Sequence, residues 1–290
     1  LGVGLSALPG LLAILALTFA QTYIASSIFV QKTTIIPVAH LVMGAWCAWG
    51  LGTILRARSQ ASEKRHIRHL FGRYVSKSVM EELLRDPSMA MLGAVGKRKI
   101  TVLFTDINGF STHSEKRTPE DIMMMLNNYF EAMNGIIFQY GGTIKQFVGD
   151  EIMAMYGAPV VHPSPEEAAV KTAVEMVRQL ALMRRQDPDQ RNCFYYIKVG
   201  IHSGDVILGN VGSQDRTEYA AVGDDVNLGS RIMGLTKALQ ADILMSKEVY
   251  DKVSHLKGVT FVPKGAHKVK GRNEPVEIYQ VLPYEGEEVT

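Results

Sequence analysis

Two aspartates follow strand-forming runs in places where a carboxylate is well placed to do chemistry. Asp106 closes "ITVLFTD" and enters the loop "INGF", where Gly109 and Phe110 follow almost at once. Asp150 lies in the turn of "IKQFVGDEIMAMYG", a compact hairpin whose outgoing strand is expected over 151–156. If that strand runs antiparallel beside 100–105, the two carboxylates meet at one edge of the sheet. Like charges at that distance repel unless a cation lies between them. Magnesium suits such a place, because it takes one or two carboxylates and fills its octahedron with water and substrate phosphates. The backbone N–H groups of "INGF", at Ile107, Asn108, Gly109 and Phe110, can cradle a phosphate, and Gly109 permits close approach. The plainer reading is that both aspartates merely cap turns.

A second group lies in "YAAVGDDVNLGSRIMGLTKAL". Asp224 or Asp225 can cap the helix that follows. Asn227 and Arg231 are four positions apart and so project from one helix face. An amide and a guanidinium held together can grip a ribose and a phosphate whose charge grows during reaction. Taken alone, such a pair is more often a solvated helix face.

The elements that must position these residues alternate between strand and helix, so the fold class is α/β of ferredoxin-like type. The pattern predicts strands over 100–105, 143–147, 151–156, 195–202, 206–210 and 217–222, and helices over 119–139, 165–184 and 225–239. "VEIYQVL" closes the domain as a strand. Along 119–139, Met123, Leu126, Asn127, Phe130, Met133, Ile137 and Phe138 fall near one face, which is read as core packing.

The first 55 residues have a different composition. No charged residue occurs over 9–30 or over 35–55, each run about the ~20 residues that cross a hydrocarbon core, so two membrane helices are expected. Arg56, Arg58, Lys64, Arg65, Arg68 and Arg73 follow against Glu63 alone, which places everything after residue 55 in the cytoplasm of an inner-membrane, multi-pass protein. Residues 56–96 read as a connector, whose "HIRHLFGRYVSKSVMEELL" carries an apolar stripe suited to its own domain or to parallel pairing with a second copy. The catalytic region is expected over 97–284, with 285–290 as a tail. The chain opens with Leu1, so an upstream part is expected to be missing. A net charge of +2 over 290 residues gives no nucleic-acid footprint. Cys47 and Cys193 match neither a disulfide framework nor a zinc spacing.

"FTDINGF", "GGTIKQFVGDEIMAMYGAP", "VGIHSGDVILGNVG", "YAAVGDDVNLGSR" and "HKVKGR", in that order, resemble the class III adenylate/guanylate cyclase catalytic domain. The apolar hairpin and "LFGRYVSKSVMEELL" resemble the membrane end of bacterial receptor-type cyclases, including those with a CHASE2 sensor. The first resemblance implies a cyclase palm domain that converts ATP to cyclic AMP and pyrophosphate, with GTP as the alternative substrate. It implies two divalent ions, Mg²⁺ or Mn²⁺, held by Asp106, Asp150 and the carbonyl of Ile107. One ion would activate the ribose 3′-hydroxyl, and the other would hold the triphosphate. Asn227 would position the ribose, Arg231 would stabilise the α-phosphate, and Lys270 would meet the terminal phosphates. The family builds its site between two domains, so a homodimer with shared sites is expected, the lipid bilayer being the other partner. A regulatory domain without catalysis is the reading from another class, and the presence of Asp106, Asp150, Asn227 and Arg231 in one chain speaks against it.

Two positions depart from the family pattern. Its adenylate cyclases carry a lysine where Gln146 stands, and an aspartate or threonine where Ala220 stands. Gln146 offers a donor and an acceptor and suits adenine or guanine, while Ala220 offers neither. Lys145 is adjacent, but alternation turns it to the other face of the strand unless a bulge intervenes. Weak base selectivity follows, with ATP favoured by analogy.

Overall fold

Strand β1 (Gly96–Ile107) is the spine of the domain because its two faces are both apolar: Leu103 and Ile107 point one way, Ile100, Val102 and Phe104 the other. In this computed structural model, residues 2–32, 42–44, 46–55, 58, 80, 96–187, 189, 191–212 and 217–283 are described. They fall in two compact units, 1–69 and 70–290.

In the second unit a short helix α2 (Phe110–Ser114) follows β1. Then come α3 (Pro119–Gln139), β2 (Thr143–Val148), β3 (Glu151–Tyr156), α4 (Pro165–Gln186) and β4 (Ile197–Gly212). After these come β5 (Thr217–Val222), α5 (Asp224–Leu239), β6 (Ile243–Ser246), α6 (Lys247–Val253), β7 (Val259–His267) and β8 (Val276–Pro283). The sheet runs β2-β3-β1-β4-β6-β8-β7, with β5 paired to β4. Its first four strands have the ferredoxin-like order expected from the sequence. β3 lies antiparallel beside β1, Thr105 opposite Ile152, so the start of one strand meets the end of the other.

Helix α3 begins where Thr118 accepts the backbone N–H of Asp121 at 3.2 Å and Pro119 occupies the first turn, a favourable start for a helix. It buries Met125, Tyr129, Met133, Ile136 and Ile137 against one sheet face. Of the expected stripe, Met133 and Ile137 are fully buried and Leu126, Phe130 and Phe138 pack against the core, whereas Met123 is 59% exposed and Asn127 is exposed. Helix α5 covers the opposite face. There Gly229 lies so near Val102 and Phe104 that a Cβ would come within 2.7 Å of the valine methyl.

Where two strands were expected over 195–202 and 206–210, β4 runs unbroken for 16 residues. "HSGD" looks like a turn, yet Gly204 pairs with Ile100 in the ladder. Its missing side chain leaves room for Asp225, whose carboxylate would be 2.3 Å from a Cβ there.

The first unit contains α1 (Gly2–Lys32) and a helical stretch at 46–55. The expected membrane hairpin and inner-membrane location are corrected here: among the described residues no helix is long and apolar enough to cross a membrane. Thr18, Gln21, Thr22, Ser26 and Ser27 interrupt the apolar run of α1, and the described part of the second run is short. Nearly all of the expected connector over 56–96, and the 285–290 tail, lie outside the described residues.

Candidate active site

Asp106 emerges from β1 on the same edge as the β2–β3 turn, where Gly149 takes a left-handed φ of 64° and hands the chain to Asp150. Asp150 lies close enough to Asp106 to oppose its ionisation. Asp150 Oδ2 also accepts the backbone N–H of Ile107 at 3.3 Å. Burial first, then the hydrogen bond and charge of Asp150, push the Asp106 acid up to about 7. Glu151 is raised as well, by burial and by Asp150. Opposing this, Lys198 holds its Nζ 3.9 Å from Asp106 Oδ2. Nothing in the sequence reading singled out Lys198; it faces Asp106 only because β4 pairs with β1 in this register.

A carboxylate pair that cannot comfortably carry both charges is suited to a divalent cation. Among the described residues no group of three or more His, Cys, Asp or Glu side chains could hold a metal ion. Two carboxylates suit an ion such as Mg²⁺ that completes its shell with water and phosphate.

The loop after Asp106 is more committed than the sequence suggested. The Asn108 N–H donates to the Tyr196 carbonyl at 2.8 Å, so it is not part of a phosphate cradle. Gly109 has φ 74°, a conformation natural to glycine, and Phe110 opens α2 with its ring edge against Phe194.

A second cluster gathers at the start of α5. The helix is capped by Gly223 without a side-chain bond, so neither Asp224 nor Asp225 plays the capping part expected of it. Asp224 instead binds Arg231 Nη1 at 3.3 Å and Arg272 Nε at 2.8 Å. Asp225 binds Arg272 Nη2 and the Asp205 N–H, and its Oδ1 lies 3.3 Å from Nε2 of the buried His202. Burial, against the pull of Glu248 and Asp225, lowers the His202 pKa and keeps the ring neutral. Asn227 is exposed one turn before Arg231, and Lys270 is exposed on the loop that ends in Arg272. Gly271 lies against the Arg231 guanidinium, 3.1 Å from where its Cβ would be.

The structure thus brings together Asp106, Ile107 and Asp150 on one side, and Arg231 with the Lys270 loop on the other. The described polar contacts of each cluster stay within it. Gln146 is exposed on β2, and Ala220 is half-buried on β5 opposite Gly209. Between Ile144 and Gln146 the β2–β3 register slips: Ile144 pairs with Ala154, but Gln146 pairs with Met153. The shift marks a bulge at Lys145, the irregularity that the alternation argument named.

Residues 94–283 match the family of adenylate and guanylate cyclase catalytic domains. Adenylate cyclase 1 of Rhizobium meliloti (strain 1021) is 34% identical over 189 residues, covering 65% of this chain and 28% of that protein. The adenylyl cyclase CyaB from P. aeruginosa superposes with a TM-score of 0.60 at 36% identity, over 66% of this chain and 97% of that one. The guanylyl cyclase Cya2 does so with a TM-score of 0.57 at 33% identity, over 68% and 98%. The chain spans between 28% and 38% of the length of the curated relatives it matches. With its strand order, its carboxylate pair and its arginine cluster, the chain belongs to the adenylate and guanylate cyclase catalytic domain family.

Proposed function

We propose that residues 97–284 convert ATP to 3′,5′-cyclic AMP and pyrophosphate as a homodimer with two shared sites. The observation that carries this reading is the separation of two complementary half-sites on one chain. One is a carboxylate pair short of positive charge. The other is a guanidinium cluster on a different element. Head-to-tail pairing of two chains joins each half to its counterpart.

In such a site Asp106 and Asp150, with the Ile107 carbonyl, would hold the divalent ions. Mg²⁺ or Mn²⁺, when bound, lowers the pKa of the ribose 3′-hydroxyl and neutralises the triphosphate. Asn227 orients the ribose so that the 3′-oxygen is in line with the α-phosphorus. The bond from the 3′-oxygen to the α-phosphorus forms as the bond from that phosphorus to the α–β bridging oxygen breaks, the electron pair leaves with pyrophosphate, and the hydroxyl proton passes to solvent water. Arg231 meets the charge growing on the α-phosphate oxygens, and Lys270 receives the departing pyrophosphate. Gln146 can donate from its amide to N1 of adenine and accept from N6 at its carbonyl, while Ala220 adds no hydrogen bond.

The test is product formation by the purified chain with ATP and GTP side by side, in Mg²⁺ and in Mn²⁺. Cyclic AMP as the main product is expected. Predominant cyclic GMP would transfer the assignment to a guanylate cyclase, and no product from either would sink the catalytic reading. For shared sites, mixed Asp106→Ala and Arg231→Ala chains, each inactive alone, should recover up to about a quarter of wild-type activity. No recovery after proven subunit exchange would count against them.

A further inference from the structure

Resting on the reading of Arg231 given above, we infer that Arg272 is a positioning residue that sets the Arg231 guanidinium and fixes the Lys270 loop on α5. Arg272 spans two adjacent carboxylates from 47 and 48 positions away in sequence, Nε on Asp224 and Nη2 on Asp225. A planar fork can do this, whereas a single ammonium cannot hold both directions at once.

Each carboxylate has a second task. Asp224 passes its other oxygen to Arg231 Nη1 at 3.3 Å. Asp225 is anchored below by the Asp205 N–H at 2.9 Å and by the His202 ring, whose Nδ1 meets Ser246 Oγ at 2.8 Å. The result is an unbroken chain from the buried Ser246 through His202, Asp225, Arg272 and Asp224 to Arg231. Its inner end is buried, His202 being 2% exposed and Ser246 0%. Its outer end is the group on which the reaction depends. Gly271 completes the fit, because with φ 82° and no side chain it lets the loop lie directly against the Arg231 guanidinium. Without Arg272, Asp224 would have Arg231 as its remaining ion-pair partner, and Arg231 would be drawn toward the carboxylate.

The experiment compares Arg272→Ala, Arg272→Lys and Asp224→Asn with wild type in steady-state turnover and in amide hydrogen exchange. Arg272→Ala is expected to lower kcat by about tenfold or more while nucleotide KM changes less, the pattern of a misplaced transition-state group. Arg272→Lys should recover only part of the loss, and millimolar guanidinium ion should restore part of the Arg272→Ala rate. The Arg231→Lys, Arg272→Ala double variant should be no slower than Arg231→Lys alone, measured on the residual rate of that variant. Exchange should quicken at 268–272 and 224–227 and nowhere in β1–β3. Wild-type kcat in Arg272→Ala, or losses that multiply in the double variant, would overturn the inference. If wild type makes no cyclic nucleotide, the cyclase reading fails by itself, and the exchange pattern alone then decides whether the clamp exists.

Discussion

Replacing Asp106 by asparagine should stabilise the metal-free protein while abolishing turnover. The folded-state acid is near 7 because burial and Asp150 oppose its ionisation, against about 3.9 in an unfolded chain. A carboxyl raised in this way binds its proton more tightly when folded, so stability falls as pH rises from about 4 to about 7 and is level above that. Three units at ~1.4 kcal/mol each set a ceiling of about 4 kcal/mol. The side chain is 30% exposed and Lys198 is near, so solvent screening brings the working figure to ~2 kcal/mol. For a domain of this size that is a gain of roughly 4–8 °C in Tm. Asparagine keeps the shape and removes the charge. The assay is thermal unfolding followed by circular dichroism in EDTA at pH 8 and pH 5. The gain should be full at pH 8 and about a third of that at pH 5, where Asp106 is already mostly protonated in the folded protein. Added Mg²⁺ should stabilise wild type and leave the variant behind. No gain at pH 8, or an equal gain at both pH values, would refute the reasoning.

Three further outcomes follow from packing and burial. Gly200→Ala places a Cβ 2.3 Å from the Met233 nitrogen and 2.6 Å from the Gly229 carbonyl. Backbone must move, so a loss of about 1–3 kcal/mol in urea unfolding and a lower kcat through the displaced α5 are expected. Tyr156→Phe removes a fully buried hydrogen bond of 2.7 Å to Thr172 Oγ1 and should cost about 1–2 kcal/mol by chemical denaturation, with catalysis unchanged. Cys193 is buried and its thiol is pushed up to about 11 by desolvation, whereas Cys47 is exposed; a thiol reagent at pH 8 should label Cys47 quickly and Cys193 only on unfolding.

The sequence was most legible where one signal was local and unambiguous. The pattern over 119–139 matched α3 at both bounds, and the glycine turn before Asp150 separated β2 from β3 at the expected place. It was least legible where tertiary context decided. "HSGD" resembles a turn until Asp225 is seen filling the space above Gly204. Met123 lies off the buried seam of α3, which periodicity alone does not resolve. Of the site, the residue types at Asp106, Asp150 and Arg231 could be read from motif order. Lys198, His202 and Arg272 could not, because their roles arise from strand pairing and from a contact across 47 residues of sequence. The apolar composition of the first 55 residues suggested membrane crossing, and among the described residues no helix meets that requirement.

The contact of Gly229 with Val102 and Phe104 gears the two halves of the chain together. Helix α5 presents Arg231, β1 presents Asp106, and Gly229 lies directly against the strand residues. In a dimer of the proposed kind these halves serve different sites. A nucleotide that moved α5 at one site would therefore act on the strand that supplies Asp106 to the other. Coupling of that kind would show in the dependence of initial rate on nucleotide concentration, as a departure from a simple hyperbola.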